Sequence, residues 1–205
     1  MSVIRRRLLW AAALVLASGV LLLVGLHGHG ISAARPPSAL EERAAVAAWR
    51  FLVPASVKRA TNPVAASDAV LTEAADHWAD HCAVCHGSDG GGSAKLSRHM
   101  YPRVPDVRAS RTQSLTDGEL FYAIEQGIPW TGMPAWSSGT GEGERESWAL
   151  VSFIRHLPDL TPAEIARIEG LMPKSAADRK QEQEIDDFLR PAAPPVPERG
   201  AGSGS

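Results

Sequence analysis

Apolar side chains along this chain recur at the three- and four-residue spacing of α-helices. Residues 70–81, 116–126 and 144–157 each place their apolar side chains on one face of a helix. No stretch shows the strict alternation of apolar and polar residues that is typical of a half-buried strand. We therefore predict an all-α protein, in which residues 68–158 form a small helical domain.

The first 34 residues are predicted to be a transmembrane anchor or an export signal. Arg5, Arg6 and Arg7 precede an apolar stretch over residues 8–26, and about 20 residues are needed to cross a bilayer. Because arginines stay on the cytoplasmic side, the rest of the chain should lie outside the inner membrane, on the periplasmic side. The stretch is longer than most signal peptides, which favours an uncleaved anchor, although cleavage at residues 32–34 stays open.

Residues 35–67 are predicted to be a linker that contains one helix. Ser38 and Glu41 have capping-box spacing at its start, and Pro54 should end it. The helix carries three large apolar residues near its end: Trp49, Phe51 and Leu52. These side chains could rest on a membrane surface or pack on the following domain, and the pattern allows both.

The chain after residue 158 is predicted to be a tail in two parts. Thr161 and Glu164 have capping-box spacing, with Pro162 at the first helical position, so a helix should start there. A more polar helix is expected over residues 176–189, which makes residues 159–190 a helical tail. Residues 191–205 are rich in Pro, Gly and Ser, which predicts a disordered tail.

Composition excludes little beyond nucleic-acid binding. The formal net charge of −2, from 21 basic and 23 acidic residues, gives no basic excess for a phosphate backbone. Hydrophobic residues make up 44% of the chain, which is enough for a core even though the N-terminal stretch contributes to that figure.

The most specific chemical signal is the run Cys82-Ala83-Val84-Cys85-His86. Two thiols at this spacing can add across the two vinyl groups of a porphyrin, and the adjacent imidazole of His86 can then bind the iron. These are the only two cysteines in the chain, so no second pair could complete a disulfide framework. We expect one covalently bound haem c. Two alternative interpretations of the cysteine pair are a redox dithiol and a zinc site. A redox dithiol is typical of βαβ surroundings, and a zinc site would need His77 and His81 as further ligands.

The second iron ligand is predicted to be Met133. Gly132 permits close backbone approach, Pro134 stiffens the loop, and the loop lies between two helices, where it can fold over a ring. The other methionines fit less well: Met1 precedes the anchor, Met100 is only 14 positions after His86, and Met172 lies in the tail. His99 would give a bis-histidine alternative. A thioether and an imidazole together fill both axial positions and raise the reduction potential, which favours electron carriage over catalysis.

Two segments carry a family resemblance. The residues Asp80-His81-Cys82-Ala83-Val84-Cys85-His86-Gly87 and Thr131-Gly132-Met133-Pro134-Ala135-Trp136, followed by a last helix with Trp148, resemble class I c-type cytochromes. They look most like bacterial membrane-anchored members with a single haem. The resemblance covers residues 68–158, which is under half of the chain.

The resemblance implies a small helical shell around a haem with one exposed edge. It also implies a proline whose carbonyl accepts the proton on the far nitrogen of the ligand histidine. Pro105, which precedes Asp106, matches that proline best, and Pro102 is the rival. A nearby basic run of Arg98, Arg103, Arg108 and Arg111 could be a solvated loop, or could pair with haem propionates or an acidic partner.

The leading hypothesis is a membrane-tethered carrier that passes single electrons between redox proteins and has no small-molecule substrate. The first alternative is a haem c subunit fixed in a larger dehydrogenase or oxidase. An enzyme or gas sensor with an open iron position, and a zinc or disulfide module, are further alternatives.

Overall fold

The computed structural model describes residues 3–29, 32–174 and 176–190, and no β-strand occurs within them. The α-helices are α1 (Val3–His29), α2 (Ala39–Leu52), α3 (Ala55–Lys58), α4 (Asp68–His77), α5 (Ala83–His86), α6 (Ser110–Gln113), α7 (Asp117–Gln126), α8 (Gly141–His156), α9 (Pro162–Leu171) and α10 (Ala176–Leu189). A π-helical turn covers Trp78–Cys82, and 3₁₀ turns cover Leu96–His99 and Leu157–Asp159. The all-α prediction is confirmed.

Helix α1 contains the predicted apolar stretch and extends it at both ends. Residues Val3–Gly25 are long and apolar enough to cross a membrane, and none of this window is buried within the chain. Such a helix could span a membrane, and an export signal would look the same. Whether the segment is retained or cleaved stays a prediction.

The predicted helix before the domain is α2, and its start differs from the expected capping box. Ser38 accepts a hydrogen bond from the backbone N–H of Glu41 at 3.2 Å. The carboxylate of Glu41 does not turn back to close the box but accepts a hydrogen bond from Tyr101. A second short helix, α3, follows within the predicted linker.

The core forms where α4 crosses α8, with α7 and α9 packed around them. Trp78, Phe153 and Leu157 are its largest fully buried side chains, together with Ile168 from α9. Because Ile168 is only 1% exposed, α9 belongs to the same packed body as the helices before it. The capping box predicted at Thr161 is present, and α7 starts at another one, at Thr116.

The helix expected over residues 70–81 is divided. It starts at Asp68 and is α-helical to His77, after which the chain widens into the π turn Trp78–Cys82. Such turns occur within helices at functional positions. Here the turn leads directly into α5, which carries the second cysteine and the adjacent histidine. The disordered tail expected over residues 191–205 lies outside the described residues.

Candidate haem site

The π turn and α5 place both cysteines and His86 within one short helical stretch. Burial, with a smaller contribution from Cys85, raises the pKa of Cys82 to about 12, and burial also raises the pKa of Cys85. Both thiols therefore stay protonated at neutral pH. Reactive dithiols need a thiolate, which forms when the pKa is lowered. The surroundings of this pair thus do not favour a redox disulfide.

His86 is held from one side by the core. The Trp78 and His86 ring centroids are 5.6 Å apart, and Trp78 stands 5.8 Å from the Phe153 ring. The indole Nε1 of Trp78 donates to the carbonyl of Gly87 at 3.1 Å, which fixes the end of α5. The imidazole is therefore supported by the innermost residues of the domain.

The Nδ1 atom of His86 is buried and, in the described residues, has no partner with full hydrogen-bond geometry. Burial lowers the pKa of His86, while an interaction with the backbone of Pro105 raises it. Since proline has no N–H, only its carbonyl can act in this way. Of the two prolines weighed from the sequence, the structure thus places Pro105 against the imidazole.

A glycine loop allows the Pro105 backbone to come so close. Gly92 donates its N–H to the carbonyl of His86 at 2.7 Å and has a φ of +67°. A Cβ atom at Gly92 would lie 2.6 Å from the carbonyl oxygen of Val104 and 2.8 Å from that of Pro105. Only glycine fits there without moving the backbone, because both the conformation and the space exclude a side chain.

An ion-pair network that the sequence did not reveal locks this loop. Arg108 donates to Asp89 at 2.8 Å and to both carboxylate oxygens of Asp106 at 3.0 Å. The hydrogen bonds from Arg108 hold the pKa of Asp106 below its usual range. Two further arginines of the predicted basic run also bond within the chain, Arg103 to the carbonyls of Arg98 and Ala34, and Arg111 to Glu42.

Met133 lies in a loop whose shape is set by its own hydrogen bonds. The Met133 carbonyl accepts from Ile128 at 3.1 Å, and its N–H donates to the Thr131 hydroxyl at 3.1 Å. After the methionine, the N–H of Trp136 donates to the Ile124 carbonyl at the end of α7. The first two bonds close the loop on itself, and the third joins it to α7 after the predicted ligand.

One ring contact brings the Met133 loop to the cysteine segment. The His81 and Trp136 ring centroids lie 5.3 Å apart, and these residues adjoin Cys82 and follow Met133 by three positions. Met100 also reaches this loop: its Cε would lie 1.9 Å from a Cβ atom at Gly132. His99, the bis-histidine alternative, is exposed at the end of a 3₁₀ turn.

The zinc alternative finds no support in the two histidines near Cys82. His77 and His81 pack edge to face with ring centroids 4.9 Å apart, while His77 faces Glu146 at 3.8 Å and His81 faces Asp80 at 3.3 Å. Within the described ranges, no group of three or more His, Cys, Asp or Glu residues is arranged to hold a metal ion.

The residues present fit a covalently bound haem. Two protonated thiols, a buried imidazole whose Nδ1 faces a backbone carbonyl, and a thioether in a fixed loop are the donor types that such a group requires. The roles of Cys82, Cys85, His86, Met133 and Pro105 stay predictions.

A comparison with protein families agrees with the resemblance. Residues 69–154 match the family described as cytochrome c oxidase, cbb3-type, subunit III, and this segment nearly coincides with the predicted domain. A comparison with curated proteins found no match. The matched segment is similar to a cytochrome c domain, which supports a haem c electron-transfer protein.

Proposed function

We propose that this protein is a mono-haem c-type cytochrome, tethered to the inner membrane by α1, that passes single electrons between redox proteins on the periplasmic side. The matched domain contains the chain's only cysteine pair, which supports one haem rather than several. The apolar helix behind Arg5–Arg7 supports a tether with the domain outside the cytoplasm.

The observation that carries the proposal is the setting of His86. Its Nδ1 is buried, and the Pro105 carbonyl faces the ring and raises the pKa of the imidazole. Nδ1 should therefore carry the proton, which leaves Nε2 free to bind a metal. Histidine ligands in proteins are oriented in this way by a group behind them. Cys82 and Cys85 would attach the haem, and His86 and Met133 would hold its iron. The haem supplies an iron centre that gains and loses one electron.

This arrangement assigns the chain's residues to holding and orienting rather than to acid–base chemistry. The Trp78 packing and the Gly92 loop fix the imidazole, and the Met133 loop is closed by its own hydrogen bonds. If His86 and Met133 both hold the iron, the haem would have no position for a substrate molecule. Small interfaces with redox partners suit such a carrier.

The alternative is a haem c subunit fixed in a larger oxidase or dehydrogenase. The matched family is described as subunit III of a cbb3-type oxidase, which favours this reading. Purification of the full chain in mild detergent separates the two. Co-elution at fixed stoichiometry with a catalytic subunit would support the fixed subunit, whereas elution alone, with haem bound, would support the carrier.

The haem assignment is tested on the full chain exported from a strain that matures c-type cytochromes. We expect an intact mass increased by one haem, a Soret band, and little reaction of the reduced protein with carbon monoxide. Mass analysis that shows no added tetrapyrrole would refute the proposal. Rapid binding of carbon monoxide by the native protein would instead indicate an open iron position, as in an enzyme or gas sensor.

A further inference from the structure

Helix α2 has two faces of different character. One face points into the molecule and consists of residues that are partly or fully buried: Glu42, Val46, Trp49, Arg50 and Val53. The opposite face is exposed along its whole length and contains only apolar residues: Leu40, Ala44, Ala47, Ala48 and Phe51. Both sets recur at helical spacing, so they form two stripes on opposite sides of the helix. Exposed helix faces in water normally carry charged or polar residues.

The inward face fixes the helix in this orientation. Arg50 pairs with buried Glu119 at 3.2 Å, and Glu42 pairs with Arg111. Val53, just past the last turn, is 3% exposed. The apolar face cannot turn inward without breaking these contacts. Any surface that covers it must therefore come from outside the domain.

The apolar surface extends beyond α2. Leu52 and Pro129 line one cavity of about 290 Å³ together with Trp49 and Tyr122. Next to Pro129, Trp130 is 96% exposed and is the only described non-glycine residue with a positive φ, +59°. Phe51 is 85% exposed. Two large exposed aromatic residues thus adjoin, in the chain, residues that line the same cavity.

We propose that the outward face of α2, defined by Leu40, Ala44, Ala47, Ala48 and Phe51, lies on the lipid bilayer beside the anchor. This inference rests on the tether proposed above. Only residues 30–38 separate α1 from α2, and a chain of that length reaches about 35 Å at most. The short connection keeps α2 close to the surface from which α1 emerges.

The chemistry of the surface fits lipid. Helices that lie in the interface bury an apolar face at the boundary between headgroups and acyl chains, and cations at the edge attract anionic headgroups. Arg43 is exposed at the edge of the apolar face, and Arg35 is exposed in the segment before the helix. Trp130 fits the same surface, since tryptophan concentrates at membrane interfaces. The haem domain would then be held in one orientation on the bilayer rather than swinging on its linker.

Photocrosslinking of the holoprotein tests this. Phe51 is replaced by p-benzoylphenylalanine in the full chain, which is placed singly in nanodiscs of phosphatidylethanolamine and phosphatidylglycerol. Phe188 on α10 is the matched control, because it is also a phenylalanine and is 87% exposed, but lies on a helix rich in Asp and Glu. After irradiation, mass spectrometry identifies the adducts.

We expect lipid adducts at position 51 at least several-fold above those at position 188. Equal, low yields at both positions, in chains that resist extraction by alkaline carbonate, would overturn the lipid contact and leave the tether intact. A peptide adduct at position 51 would overturn it in favour of a protein contact. Extraction of the chain by carbonate would refute the membrane tether, and this inference, which rests on the tether, would be refuted with it.

Discussion

The guanidinium of Arg50 lies 3.2 Å from the carboxylate of Glu119, whose side chain is only 2% exposed. The same carboxylate accepts the backbone N–H of Thr116 at 2.8 Å and so closes the capping box of α7. Burial alone would raise the pKa of Glu119, but the bonds from Thr116 and Arg50 outweigh it, and the pKa is lowered. One side chain thus fixes both the start of α7 and the attachment of α2.

Replacing Arg50 should therefore destabilise the domain. Arg50→Met keeps the length of the apolar stem but leaves a buried carboxylate without its charged partner, which should cost about 2 kcal/mol of unfolding free energy. Denaturant unfolding at pH 7, followed by far-ultraviolet circular dichroism, measures it. Arg43→Met, an exposed position on the same helix, should change stability by less than about 0.5 kcal/mol. Equal losses of stability in Arg50→Met and Arg43→Met would contradict the role assigned to the ion pair between Arg50 and Glu119.

The Arg50 effect should also depend on pH. Because the folded-state pKa of Glu119 lies below its unfolded value, its contribution is complete above the unfolded pKa and is lost as pH falls through the folded pKa. The stability difference between wild type and Arg50→Met should therefore shrink below about pH 4. A difference that stays constant down to pH 3 would show that Arg50 acts through packing rather than charge.

Two helical glycines should respond to alanine with opposite signs. A Cβ atom at Gly118 in α7 would lie 1.8 Å from the backbone oxygen of Val57 in α3, whereas nothing lies within 4 Å of one at Gly170 in α9. Gly170→Ala should stabilise the protein by about 0.5 kcal/mol through helix propensity. Gly118→Ala should destabilise it by about 2 kcal/mol, because α3 must move away. Thermal unfolding of both variants measures these changes in stability. Stabilisation by Gly118→Ala would mean that α3 does not pack there.

Local signals in the sequence predicted much of this fold. The Ser38 and Thr161 caps each mark a helix start that the structure contains, because a cap is decided by residues three positions apart. The cysteine and histidine run, likewise local, predicted the cytochrome c domain that the family match supports.

Features that depend on distant residues could not be predicted. The docking of α2 requires Arg50 to meet Glu119, 69 positions away, and the sequence left open whether α2 would pack on the domain. The family resemblance already favours Pro105 over Pro102, but the approach of its carbonyl to His86 depends on how the Gly92 loop folds back, which no local pattern predicts. The π turn at Trp78 has no pattern of its own, since the apolar spacing there is that of an ordinary helix.

Gly92 offers a test of how the Pro105 loop supports His86. Gly92 and Gly139 both have a positive φ, +67° and +69°, but only Gly92 has backbone atoms where a Cβ would stand. Gly139→Ala should cost about 1 kcal/mol for conformation alone. Gly92→Ala should cost clearly more, and should shift the reduction potential, because the Pro105 carbonyl is displaced. A potential equal to that of Gly139→Ala would show that Pro105 does not orient the ligand.

Met133 lies in the loop that follows α7, and Met100 contacts the same loop. Substitution of each methionine in turn therefore identifies the iron ligand. If Met133 binds the iron, Met133→Ala should abolish the weak sulfur-to-iron absorption at the red end of the ferric spectrum and lower the reduction potential, with haem still attached, because a thioether favours ferrous iron. On that assignment Met100→Ala should retain the band, since the Met100 Cε lies against Gly132. Visible spectra and potentiometry of the two purified variants make the comparison. Loss of the band in Met100→Ala, with Met133→Ala unchanged, would transfer the ligand role to Met100 and make the Met133 loop a lid that packs over it.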